Sequence, residues 1–293
     1  MLSSLKRLGR RPQERGLPLF RLRDLVVGER SSNEAVIRGL CSTIPLGEDT
    51  ALCRILGRYK LFIDTTDLGL SPHLALDGYW EMWLTEVIAE VVKPGMTVID
   101  VGANLGYFSM LFADIVGPTG AVHAFEPNAA LAVRLRRSVA VNGFLDRLQV
   151  HEQALGDVDG GLFHLIVPPG EPKNGHMQPA EAGMEGSPGV IRTRRLDSYP
   201  ELFDAAVIKI DADTAEPAIW SGMRGVLERG HAMTVFLEFN PSRYADGASF
   251  LAEILGWGFS LNLIDLESGP RPIDAATALA GNGLEDLILM LRR

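Results

Sequence analysis

From about residue 97 the chain alternates short apolar runs with stretches whose apolar residues recur at helical spacing. The runs near 97 to 101, 120 to 126, 148 to 154, 206 to 210 and 233 to 239 are continuous enough to predict strands buried on both faces. Between them Leu131, Leu135 and Val139 stripe one helix. Ile219, Trp220, Met223 and Leu227 stripe another, and Phe250, Leu251, Ile254 and Leu255 a third that Gly256 can terminate. Strand alternating with helix predicts an α/β fold built on a doubly wound, mainly parallel sheet. The tail departs from the pattern, because Phe259 to Ile264 and Asp286 to Leu291 read as two strands with no clear crossover helix between them.

Upstream, residues 51 to 64 read as two strands joined at Gly57-Arg58, a hairpin that with the basic arm before it forms a small N-terminal cap over residues 1 to 78. The main domain then runs from 79 to 293. It opens on a helix carrying Trp80, Trp83, Leu84, Val87, Ile88 and Val91, which Lys93-Pro-Gly95 ends. Residues 158 to 192 interrupt the alternation with an excess of Gly and Pro, the mark of a lid-like insertion. Leu162 to Val167 and Val190 to Leu196 can pair there and carry Lys173-Asn-Gly-His176 over a site.

A chain of 293 residues, 46% hydrophobic, can bury a full core. Its net charge of −9 argues against a nucleic-acid surface and favours a small or neutral partner. Cys41 and Cys53 supply neither a disulfide framework nor a zinc set and read as reduced, buried thiols. Residues 1 to 30 hold eight Lys or Arg against three acids. A solvated arm is the simpler reading, contact with an anionic membrane or polymer the sharper one. No apolar run approaches a transmembrane segment and no secretory pattern follows the basic residues, so a cytoplasmic protein is expected.

The densest chemistry lies in Val98-Ile-Asp-Val-Gly-Ala-Asn-Leu-Gly-Tyr-Phe-Ser109, where a strand passes through a glycine turn into a helix. Gly102 and Gly106 permit a tight turn and close approach of backbone to ligand, and the helix N-terminus offers free N–H groups. His123-Ala-Phe-Glu126 then ends a second strand with a carboxylate suited to the two hydroxyls of a ribose. A dinucleotide-binding oxidoreductase fits less well. Its three-glycine fingerprint is absent, since Gly102 and Gly106 stand four apart, and no Tyr-x-x-x-Lys pair is present for NAD-dependent hydride chemistry.

VIDVGANLGYFSM (98 to 110), HAFEPN (123 to 128), HEQALGD (151 to 157), RRLDSY (194 to 199) and VIKIDADTAE (207 to 216) occur in the order of the FkbM-type family of S-adenosylmethionine-dependent methyltransferases, which the chain resembles from about residue 60 to 293. The resemblance implies a Rossmann-like seven-stranded sheet with an antiparallel final hairpin, and S-adenosyl-L-methionine as cofactor. It implies that Asp100, Gly102, Ala103, Asn104, Gly106, Tyr107 and Phe108 surround the methionine portion. Glu126, Pro127 and Asn128 would hold the ribose, and Ala154, Leu155, Gly156 and Asp157 the adenine edge. It implies a hydroxyl of a sugar, glycan or secondary metabolite as acceptor. The family normally carries Glu and Gly where this chain has Asp213 and Thr214, and that departure supports the alternative of a methyltransferase-fold protein that binds without catalysing.

Methyl transfer needs an aligned acceptor and a group to take its proton. Asp211, ending the fourth strand, is the first candidate, with Lys209 two residues earlier to hold it ionised. Glu216 is either a base or part of the first turn of a helix capped by Asp213 or Thr214. His176 can reach over from the insertion. Asp211, Glu238 and Asn240 together would suit magnesium, although polar residues lining an acceptor pocket are the simpler reading. His123, His151 and His231 read as structural.

Overall fold

The computed structural model describes residues 18–281 and 286–293. Lys6, Arg7, Arg10, Arg11 and Arg15 of the basic arm lie outside the described residues. Helices α1 (Arg23–Val27) and α2 (Arg30–Leu40) precede an antiparallel sheet of β1 (Thr43–Gly47), β2 (Thr50–Ile55) and β3 (Tyr59–Asp64). The expected hairpin is therefore the inner part of a three-stranded sheet. Its turn is centred one residue earlier than the pattern indicated, with Leu56 (φ 48°) and Gly57 (φ 56°) both left-handed. Alternation places Ala51, Cys53, Ile55, Leu61 and Ile63 inside.

Helices α3 (Ser71–Leu76) and α4 (Met82–Val91) lead into the main sheet. There β4 (Thr97–Val101), α5 (Tyr107–Val116), β5 (Ala121–Phe125), α6 (Ala129–Asn142) and β6 (Leu148–His151) alternate as the periodicity indicates. The N-terminal sheet docks on α6, where the Phe62 N–H donates to Ser138 Oγ at 3.0 Å and the Lys60 N–H to Asn142 Oδ1 at 3.0 Å. Ile37, Leu61 and Leu74 consequently share one core with Leu84, Leu111 and Leu135.

The Gly/Pro-rich insertion is ordered as a second small sheet. Strands β7 (Ala154–Leu155), β8 (Leu162–Ile166), β9 (His176–Pro179) and β10 (Val190–Arg194) lie in the order β7-β10-β8-β9. The expected pairing of β8 with β10 is present and antiparallel. Strand β9, too short and too polar to stand out in the pattern, pairs with the other edge of β8.

Strand β11 (Val207–Ile210), helices α7 (Glu216–Ser221) and α8 (Arg224–Glu228), β12 (Thr234–Phe239), α9 (Gly247–Gly256), β13 (Ser260–Asp265), β14 (Gly269–Pro272), α10 (Ala275–Ala280) and β15 (Leu287–Arg292) complete the chain. The main sheet runs β14-β13-β15-β12-β11-β4-β5-β6, parallel from β12 to β6, with β15 antiparallel to β12 and β13. This is the doubly wound sheet with an antiparallel final pair, β13 and β15, of which only β15 runs against the parallel strands, extended by one short edge strand, β14. Val98 faces the core under α4 to α6, while Ile99 faces the core under α7 to α9.

Two local expectations change. The stripe Ile219, Trp220, Met223, Leu227 is fully buried, but it is divided between two short helices, with Met223 in the break between them. The chain breaks at Gly222, where a Cβ would stand 2.0 Å from the Gly156 carbonyl oxygen, and Asp197 receives the Gly225 N–H at 2.7 Å to begin α8. In α9, Leu255 is on the outer face, and the left-handed glycine follows the helix at Gly258.

Candidate functional site

Strands β4 and β11 are neighbours although their following helices cover opposite faces, so the winding order reverses between them and leaves a crevice at their carboxyl ends. A cavity of about 750 Å³ opens there. The turn after β4 forms one wall, with Gly102, Asn104 and Gly106 at φ 74°, 53° and 93°. Glycine at 102 is required by the protein itself, because a Cβ would lie 1.7 Å from the Asp211 carbonyl oxygen. At Gly106 it would lie 2.1 Å from Leu135 Cδ1, so this glycine serves core packing and does not line the cavity.

Glu126 follows β5 and is buried, yet it borders the cavity. Its Oε2 accepts the Asn104 N–H and its Oε1 the Asn128 N–H, each at 2.8 Å. Burial outweighs these bonds and raises its pKa to about 7. Ala103, Asn104, Tyr107, Phe108, Pro127, Asn128, Ala154 and Leu155 join it on the wall, together with Gln153.

Other expected residues lie elsewhere. The Asp100 side chain is enclosed beneath the turn, where Ser109 Oγ donates to its Oδ2 at 2.5 Å and its Oδ1 has no partner. Gly156 supports the Gly222 crossing, and Asp157 is exposed outside the cavity. Glu216 is fully buried at the start of α7 and turns back, its Oε1 accepting the Ala212 N–H at 2.8 Å. Helix α7 begins after Ala215 with no side-chain cap, so neither Asp213 nor Thr214 caps it. Both instead hold left-handed backbone, at φ 45° and 83°. Asn240 follows β12 and caps the next turn: its Oδ1 accepts the Ser242 N–H at 3.1 Å and its amide donates to Asp286 at 2.9 Å. That leaves it unsuited to complete a magnesium set with Asp211 and Glu238. Among the described residues no group of three or more His, Cys, Asp and Glu side chains is arranged to hold a metal ion.

Asp211, Lys209, Glu238 and His176 do converge on the cavity. Lys209 Nζ donates to Asp211 Oδ2 at 2.8 Å and lies 5.3 Å from the Phe108 ring centre. Burial alone would lower the Lys209 pKa, but the charges of Asp211 and Asp100 overcome it and keep the ammonium protonated. Burial, followed by the neighbouring Asp211, raises Asp213 to about 6. Glu238 is driven strongly upward by burial and then by Asp211, Asp286, Glu216 and Asp213.

Sequence reasoning missed three charged members, Arg243, Asp286 and Glu81. Arg243, in the turn after β12, binds Asp286 at 3.1 Å and stands 3.7 Å from Asp213. The rule that sites gather at strand ends was the one signal available for it. Glu81 precedes α4 in left-handed backbone (φ 38°) and reaches the cavity from the cap side, where local pattern gives no sign of a site. His123 and His151 instead pair with each other at 3.2 Å, and His231 meets the Ala205 carbonyl at 2.8 Å, all as structural histidines.

A doubly wound sheet with an acid after its second parallel strand and a glycine turn at the switch point defines a nucleotide-cofactor fold. The methyltransferase FkbM domain matches residues 100–261, and the chain belongs to that family. It is 42% identical over 66 residues to the 31-O-demethyl-FK506 methyltransferase FkbM of Streptomyces tacrolimicus, covering 22% of this chain and 25% of that protein. It is 39% identical over 70 residues to the protein-L-isoaspartate O-methyltransferase of Aeropyrum pernix, covering 24% and 26%. The chain thus spans about a quarter of the length of these curated relatives. Among solved structures, the precorrin-6y C5,15-methyltransferase of Geobacter metallireducens is similar at 11% identity and a TM-score of 0.41, covering 73% of this chain and 86% of that one. Among the described residues no helix is long and apolar enough to cross a membrane.

Proposed function

We propose that this protein transfers a methyl group from S-adenosylmethionine to a hydroxyl oxygen of a sugar, a glycan or a secondary metabolite. The observation that carries the reading is Glu126, whose carboxylate is fixed by two backbone N–H groups at the edge of the cavity. Each of its oxygens keeps a second lone pair able to accept another donor, as two ribose hydroxyls require. The cavity is within the usual range for such ligands. Leu131, Ala154 and Leu155 offer an apolar seat for a base beside it. The residues present therefore fit the cofactor.

When bound, S-adenosylmethionine supplies an electrophilic methyl group on a sulfonium sulfur. Asp211 accepts the proton of the acceptor hydroxyl, and Lys209 fixes the carboxylate by donating to its Oδ2 at 2.8 Å. Glu216 acts behind them by holding the backbone of the Asp211–Thr214 turn. His176 and Lys173 bring the insertion to the cavity wall, which limits water at the reacting atoms. Transfer to oxygen agrees with the names of two of the three curated relatives, the third being a tRNA wybutosine-synthesizing protein 2 homolog of Rattus norvegicus. Calorimetric titration with S-adenosylmethionine, followed by mass spectrometry of candidate hydroxylated acceptors, tests the reading. A gain of one methyl group is expected, and a protein that binds no cofactor overturns it.

A further inference from the structure

Residues 167–175 link β8 to β9 and carry Pro172 and Lys173 onto the cavity wall beside Leu70 and Trp80, which bracket α3. The link is folded on itself, the Glu171 N–H donating to the Pro168 carbonyl at 3.1 Å and the Asn174 N–H to the Glu171 carbonyl at 3.0 Å. Beyond its own hairpin, one hydrogen bond ties it to the chain among the described residues, from the Leu68 N–H to the Gly170 carbonyl at 2.7 Å.

The second tie is the Lys173 side chain. Its stem crosses Gly69 so closely that a Cβ there would lie 2.6 Å from Cε and 3.0 Å from Cδ, and its ammonium stops 5.3 Å from the centre of the Trp80 ring. Gly69 does not hold left-handed backbone, and the three atoms nearest to that Cβ position all belong to Lys173. The missing side chain at 69 therefore makes room for the lysine. The notch itself is fixed. Buried Asp67 accepts the Gly69 N–H at 2.8 Å and the Ser71 N–H at 2.7 Å, and the His73 ring packs 5.2 Å from that of Trp80. A firm notch thus holds a link that is tied by one backbone hydrogen bond and one cation–π contact, each weak in net terms. Segments tied so lightly open locally, well below the free energy of global unfolding.

We propose that Lys173 is the latch of a gate over the cavity: the 167–175 link swings from the cap when Lys173 leaves the notch of Gly69 and Trp80, and that opening limits ligand exchange. The methyltransferase reading above supplies only the identity of the ligand. A closed gate blocks entry and exit alike, so weakening the latch multiplies the association and dissociation rate constants by the same factor, which cancels in Kd. A lysine that instead binds the ligand directly changes dissociation and Kd.

The test measures S-adenosylhomocysteine binding to the immobilised full chain by surface plasmon resonance, with Gly69→Ala and Lys173→Met. Alanine pushes the lysine stem out of the notch from a position that does not line the cavity, and methionine keeps the stem without the charge. Both rate constants are expected to rise together by about three- to ten-fold in each variant, with Kd held within about two-fold. Hydrogen exchange of residues 167–175 in the unliganded chain is expected to quicken by a similar factor. Unchanged rates in either folded variant overturn the proposal by making the link a fixed wall. A rise confined to dissociation also overturns it, by making Lys173 a ligand contact. Failure of the unaltered chain to bind S-adenosylhomocysteine overturns the parent reading, and hydrogen exchange in the two variants then decides the latch by itself, unchanged exchange overturning it.

Discussion

Lys209 Nζ stands 2.8 Å from Asp211 Oδ2, and the two side chains differ in exposure, 4% for the lysine and 39% for the aspartate. The ammonium is thus enclosed and depends on a carboxylate whose other side is open to the cavity. Asp211→Asn is expected to lower kcat by about 10² to 10⁴ while leaving cofactor affinity within a few-fold. The same change leaves the buried ammonium without its partner, so a stability loss of about 1 to 3 kcal/mol is expected, moderated by solvent at the open end. Steady-state kinetics and denaturant titration separate the two effects. Unchanged kcat in a folded variant removes Asp211 from the proton-transfer role.

Glu126→Ala is expected to weaken S-adenosylmethionine and S-adenosylhomocysteine binding by about ten- to hundred-fold, the loss of one charge-assisted hydrogen-bonding group. In the unaltered chain, affinity for both should rise with pH through about 7, where the Glu126 carboxyl ionises and becomes a full acceptor. A pH-independent Kd between 6 and 8 contradicts this assignment.

Stability should move the opposite way. Burial holds Glu126 and Glu216 at about 7 in the folded chain, above the unfolded carboxylate range. A raised carboxyl pKa means that the folded state binds more protons between the two values. The contribution is therefore fully present below the unfolded pKa and is lost as pH rises through about 7. Unliganded protein is expected to lose on the order of a few kcal/mol between about pH 5 and pH 8. Thermal melts across that range, without cofactor, give the sign directly.

Thr214 is a β-branched residue at φ 83°, a region that favours glycine. Thr214→Gly is expected to raise stability by about 1 kcal/mol, the relief of backbone strain exceeding the added freedom of the unfolded chain. A lower Tm in the variant would show that the threonine side chain makes compensating contacts.

Residues 170 to 188 approach the cavity through Lys173 and His176, and the Gly170 carbonyl accepts the Leu68 N–H at 2.7 Å. Hydrogen exchange in this segment is expected to slow when cofactor and acceptor are both present. Identical exchange in both states would make the insertion a fixed wall.

Local pattern sufficed for much of this protein. The buried strands from β4 to β12 follow from continuous apolar runs and the stripes of α4 and α6 from a periodicity of 3.6, which each residue reports about its own element, while the antiparallel final pair came from the family resemblance. The glycine turn and Glu126 were legible because one short segment contains both the strand end and its ligand-facing residue. Tertiary structure alone decided what the other side of each residue touches. Gly106 and Gly156 are glycines for packing, Glu216 supports a turn, and Asn240 caps one, because partners 2 to 66 positions away fill their surroundings or the space beside them only after folding. Glu81 and Arg243 reach the cavity from the start of helix α4 and from a strand-end turn, 162 residues apart in the chain. Their meeting depends on sheet order and helix docking, long-range contacts that no local periodicity encodes.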